Sequence, residues 1–192
     1  MILNFYSNIL LFYFNFKKNM TLKLAKLISW ITTLWLIGLP LGALYLLFNF
    51  DGLSLLAQDN LHLPIRWDTV VSWQWYTLWM LTVVYMAVGL AGVYFLRKAF
   101  SSFAKGHWFD LENSASLRAF AILLIVQGLA KPVYNTIASV LLSWNHPAGQ
   151  KVLAITVGSY ELVLVTSGIV MWVLCDLLVD GIKARKENQQ FV

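Results

Sequence analysis

The sequence predicts an all-α integral membrane protein, a four-helix bundle with both termini in the cytoplasm. Three observations carry this. First, 59% of the 192 residues are hydrophobic and only 12% are charged, where an average globular domain carries about 25% charged residues. Second, the apolar residues gather into four runs, 27–48, 75–96, 118–142 and 152–179, each long enough for the roughly 20 residues that cross a hydrocarbon core. Third, the basic residues are sorted between the ends of those runs. Lys17, Lys18, Lys23, Lys26, Arg97, Lys98, Lys105, Arg118, Lys183, Arg185 and Lys186 fall on one side, and Arg66 and Lys151 on the other. The positive-inside rule puts the first side in the cytoplasm. The net charge of +5 therefore reads as membrane topology, and no direct nucleic-acid partner is expected.

Residues 1–19 stand apart. Their apolar run, 2–16, is about 15 residues long and falls short of a span. Lys17 and Lys18 follow that run instead of preceding it, which is wrong for a signal peptide. The segment reads as a non-native extension ahead of Met20, or as an interfacial helix. Residues 20–192 then form one four-span domain.

The first span holds Gly38, Pro40 and Gly42. Glycines four apart permit close helix approach, and Pro40 is expected to kink the helix. Residues 50–73 read as a loop, from Asp51-Gly52 and Leu63-Pro64. Trp67, Trp73, Trp75 and Trp79 gather at the start of the second span. They form an interfacial aromatic belt, with a ligand-binding aromatic box as the alternative. Ala87, Gly89, Ala91 and Gly92 give the second span a small-residue patch for helix contact.

In the loop 97–117, Gly106 ends the second helix and Asp110 is placed to cap the third, with Glu112 in its first turn. Residues 143–151, with Pro147 and Gly149, read as a tight turn. Asp176 and Asp180, near the end of the fourth span, are expected to be solvated or paired with Arg97 or Arg118.

Gly106, Phe109, Glu112 and Asn113, followed by Leu117 and Arg118, form a short signature in this loop. Gly181, Glu187, Asn188 and the closing Phe191-Val192 form a second one in the tail. Together with the four-span layout, over residues 20–192, they resemble the DUF2975 family of bacterial membrane proteins. The resemblance implies a location in the bacterial inner membrane and the proximity of a small helix-turn-helix regulator. It implies no catalytic residue.

The third span carries the unusual chemistry. Gln127, Lys131 and Asn135 recur every four residues, with Ser139 continuing the row, so they share one helix face. A lysine at the centre of a membrane helix costs roughly 2.5–3.5 kcal/mol on insertion scales, so it should face protein. Glu161, in the fourth apolar run, is the expected partner at similar depth. Two readings follow. One is a buried ion pair that fixes helix register; the other is a proton or substrate site.

Other chemistries find no support. His62, His107 and His146 lie far apart, and Cys175 is the single cysteine, so no metal spacing or disulfide framework is present. Ser159 and Ser167 sit within helical sequence and belong to no nucleophilic set. The chain is expected to be non-enzymatic, without cofactor or metal. The primary expectation is a sensor or regulatory partner, possible as an oligomer, acting on another membrane protein or a regulator through its cytoplasmic loop and tail. The alternative is a small oligomeric transporter or channel built on Lys131 and Glu161.

Overall fold

The computed structural model describes residues 2–61, 64–107 and 110–190, with side chains from residue 19 onward except at 50, 60, 185, 186, 189 and 190. Five α-helices follow one another: α1 (Ile2–Leu47), α2 (Phe50–Leu61), α3 (Ser72–Phe103), α4 (Leu111–Leu142) and α5 (Ser159–Gln190). A 3-10 turn at Trp67–Thr69 precedes α3. Four stretches are long and apolar enough to cross a membrane: Asn19–Leu47, Ser72–Phe103, Leu111–Leu142 and Ser159–Ala184.

The helices pack in chain order. α1 lies on α3, α3 on α4 and α4 on α5, while the short α2 touches α1 and α3. No comparable contact joins α1 to α5, so the bundle is open on that side. Helices that meet lipid have no hydrophobic drive to close a ring. Trp30 and Leu34 on α1 and Leu162 and Val163 on α5 are accordingly exposed.

Two clusters fix the ends. At the end that carries α2, Leu53, Ala57 and Leu61 of α2 pack with Leu78 of α3 and with Ala138 and Leu142 of α4. At the end that carries the termini, Ala99, Leu117 and Cys175 join α3, α4 and α5. Between them the helices approach through glycine. A Cβ on Gly168 would stand 2.8 Å from the Ala121 carbonyl and 2.6 Å from Ile125, and one on Gly128 would stand 2.8 Å from Val165. These two glycines set the α4–α5 distance.

Several expectations change. Residues 2–19 extend α1 ahead of the candidate span Asn19–Leu47. Pro40 lies inside α1, and a Cβ on Gly38 or Gly42 would meet nothing within 4 Å among the described residues, so neither glycine holds a helix contact there. Gly92 does face α4, where a Cβ would meet Leu123 and Phe120 at 3.6 Å.

The expected loop 50–73 begins with a helix. The Asn49 side-chain carbonyl accepts the Gly52 N–H at 3.0 Å, so Asp51-Gly52 lies in a capped first turn. Leu53, Ala57 and Leu61 then supply a buried stripe at four-residue spacing.

The fourth span also starts later than expected. Residues 151–158 are not helical, and α5 begins at Ser159. Hydroxyls on α4 hold this segment. Ser143 Oγ accepts the Val152 N–H at 3.0 Å, Ser139 Oγ accepts the Ala154 N–H at 3.1 Å, and Thr136 Oγ1 donates to the Ala154 carbonyl at 3.2 Å. Val152, Ile155, Thr156 and Val157 are β-branched and favour the extended form, which here finds its partners outside a helix.

Candidate functional site

The row Gln127–Lys131–Asn135–Ser139 does not face a single neighbour. Four residues advance an α-helix by slightly more than one turn, so the row drifts by about 40° per step. Gln127 lies against α3, where Gly89 leaves room for its amide at 3.5 Å from an ideal Cβ. Asn135 has turned toward the extended segment and donates to Thr156 Oγ1 at 3.0 Å. Ser139 meets the Ala154 backbone on that same flank. Gln127 Oε1 and Asn135 Oδ1 are buried acceptors without a hydrogen-bond partner among the described residues.

Lys131 stands between these two directions. Its Nζ lies 5.1 Å from the ring centre of Tyr134 and 5.7 Å from that of Tyr85, within the range of cation–π attraction. The rings are themselves packed at 5.2 Å, and Tyr134 Oη shares a hydrogen bond with Thr82 Oγ1 at 3.0 Å. Lys131, Tyr85 and Tyr134 wall a cavity of about 220 Å³, which α2 covers with Leu53, Leu56 and Ala57.

Glu161 belongs to α5, where its backbone carbonyl oxygen would stand 3.0 Å from a Cβ on Gly128 of α4. It sits in the first turn of α5, is 8% exposed, and accepts the Gly158 N–H with Oε2 at 2.7 Å. No ion pair within 4 Å joins it to Lys131. The expected pair does not form as a contact, because the late start of α5 turns the Glu161 carboxylate back onto Gly158 as a helix cap.

The loop signature is structural in this geometry. Gly106 takes a φ of +88° in the turn after α3, a conformation that glycine adopts without strain. The Asp110 carboxylate accepts the Glu112 N–H, as a helix cap should. Glu112 pairs with Lys98 at 2.9 Å, and Asn113 donates to the His107 carbonyl. Leu117 is buried, and Arg118 reaches Asp176 at 3.6 Å while lying over the Trp172 ring. Asp180 pairs with Lys183 at 3.9 Å, and Arg97 donates to Thr33 Oγ1 at 2.8 Å. Arg97, Lys98, Ser102, Lys105 and Asn113 border a cleft of about 310 Å³. Phe109, Phe191 and Val192 lie outside the described residues.

Sequence reasoning missed Tyr85, Tyr134 and the α2 cover. Their signal was the spacing of Leu53, Ala57 and Leu61 and the presence of two tyrosines within helical reach of Lys131. Among the described residues no three His, Cys, Asp or Glu side chains gather into a metal-holding group. Comparison with known proteins gives no match to a family model, a curated protein or a solved structure.

Proposed function

We propose that this chain is a multi-pass protein of the bacterial inner membrane, with both termini and the loop 104–110 in the cytoplasm. In this reading it is a non-enzymatic sensor or regulatory partner, whose loop signature resembles that of the DUF2975 family. One observation supports it most. Three polar links converge beside the loop: Arg97 to Thr33, Lys98 to Glu112 and Arg118 to Asp176. They tie α1 to α3, α3 to α4 and α4 to α5 at the end where the termini lie. A shift of any helix would reach the loop, whose output would be read by a protein such as a small helix-turn-helix regulator.

The transporter reading has its own support, because among the described residues Lys131 makes no ion pair within 4 Å and borders a cavity. The two readings separate by comparing transcript profiles of cells that carry the wild type, Glu112→Ala/Asn113→Ala, or Lys131→Met. A regulatory partner loses its effect on transcription in the loop variant even when the protein accumulates normally in the membrane. A transporter keeps its effect in the loop variant and loses it in Lys131→Met alone.

A further inference from the structure

We propose that the cavity beneath α2 binds an acidic amphiphile, its anionic head on Lys131 and its apolar chain under α2. The walls argue for this chemistry. Leu53, Leu56, Ala57 and Leu78 offer hydrocarbon, and Lys131 is the one charged group among the residues that border the space. The two tyrosine rings attract the cation through their faces, and among the described residues no carboxylate lies within 4 Å of its nitrogen. Glu161, the acid the sequence offers, accepts the Gly158 N–H and makes no direct ion pair with Lys131. An ammonium set among apolar walls binds a carboxylate or phosphate far better than a neutral head.

Size narrows the class. Ligand pockets usually enclose about 300–1,000 Å³, and this one measures about 220 Å³. It holds a head and the first part of one chain, not a whole lipid. Leu56 both borders the cavity and is 47% exposed, so a chain can continue past it. The anion is a free fatty acid or the head of an anionic phospholipid, which share this chemistry. The inference rests on the membrane-spanning part of the proposed function, since the bilayer delivers such a molecule. It does not rest on the choice between sensor and transporter.

The test uses the full chain in nanodiscs of zwitterionic lipid, with displacement of a fluorescent fatty acid as the readout. Decanoate is expected to displace the probe about tenfold better than decanol, the margin of a charge-assisted contact. Lys131→Met removes that margin and Lys131→Arg keeps it. Leu56→Trp, at a half-exposed position, weakens both ligands by filling the cavity. Nanodiscs that contain phosphatidylglycerol distinguish the sources. Loss of decanoate binding there marks the phospholipid head as the occupant, and unchanged binding marks the free acid. Equal displacement by decanoate and decanol, or a margin that survives Lys131→Met, overturns the proposal. Cysteine labelling of the termini in the same nanodisc preparation reports the spanning reading separately.

Discussion

Glu161 holds Gly158 and not Lys131. The carboxylate accepts the Gly158 N–H at 2.7 Å, while the ammonium lies over the rings of Tyr85 and Tyr134 and makes no ion pair within 4 Å among the described residues. Groups without a shared partner act almost independently on stability, with coupling below about 0.5 kcal/mol. The cycle of Lys131→Met, Glu161→Gln and the double variant is therefore expected to be additive in detergent or bilayer unfolding. A coupling above about 1 kcal/mol would mean that the two charges meet. Glu161→Gln alone keeps an oxygen acceptor and should cost less than Glu161→Ala, for which loss of the cap is worth about 1 kcal/mol.

The extended segment depends on two serines. Ser143→Ala and Ser139→Ala each leave a backbone N–H, of Val152 or Ala154, without its acceptor. Each is expected to destabilise the protein by about 1–3 kcal/mol. Ser167→Ala, on an exposed part of α5, serves as the control and should be close to neutral. Equal effects at all three positions would show that the hydroxyl ladder does not hold residues 152–158.

Glycine substitutions should separate sharply. A methyl group at Gly168 runs into the Ala121 backbone carbonyl at 2.8 Å, and overpacking of this kind costs about 1–3 kcal/mol. A methyl group at Gly38 meets nothing within 4 Å, so Gly38→Ala is expected to gain about 0.5–1 kcal/mol of helix propensity. Thermal unfolding of both variants decides the matter. Destabilisation by Gly38→Ala would place an unseen neighbour against that face of α1.

Topology is open to direct measurement. On a Cys175→Ala background, a cysteine at Ala148 is expected to react with an impermeant reagent from outside intact cells. A cysteine at Asn188 is expected to react only after permeabilisation. The reverse pattern would overturn the cytoplasmic placement of the termini.

The four long helices were legible because their hydropathy is local to each segment. Asp110 as a cap was legible for the same reason, while the pairing of Asp176 with Arg118 rather than Arg97 depends on how α5 packs on α4. The site was less legible. Val152–Val157 is apolar enough to pass for the start of a span, and only the hydroxyls of Thr136, Ser139 and Ser143 on another element make it extended. Gly38 and Gly42 satisfy a packing pattern that Gly128 and Gly168 fulfil, because spacing within one helix does not reveal which face meets a neighbour. Lys131 and Glu161 looked like partners for the same reason: sequence gives depth along a helix but not azimuth around it.

The extended segment also sets a water line. Val152 and Ala154 turn their backbone groups to α4, while those of Leu153, Ile155 and Val157 have no hydrogen bond among the described residues. Bare amide groups do not reside in hydrocarbon, so in the proposed membrane orientation these residues belong at headgroup level. Asn135, bonded to Thr156, then marks the edge of the oily layer on α4. From Leu117 to Asn135 the helix rises about 27 Å, close to the roughly 30 Å of a bilayer core. Lys131 lies only about 6 Å beneath that edge, a distance its own methylene stem can cover. A residue placed mid-membrane by hydropathy thus becomes one that can touch the charged surface of the leaflet.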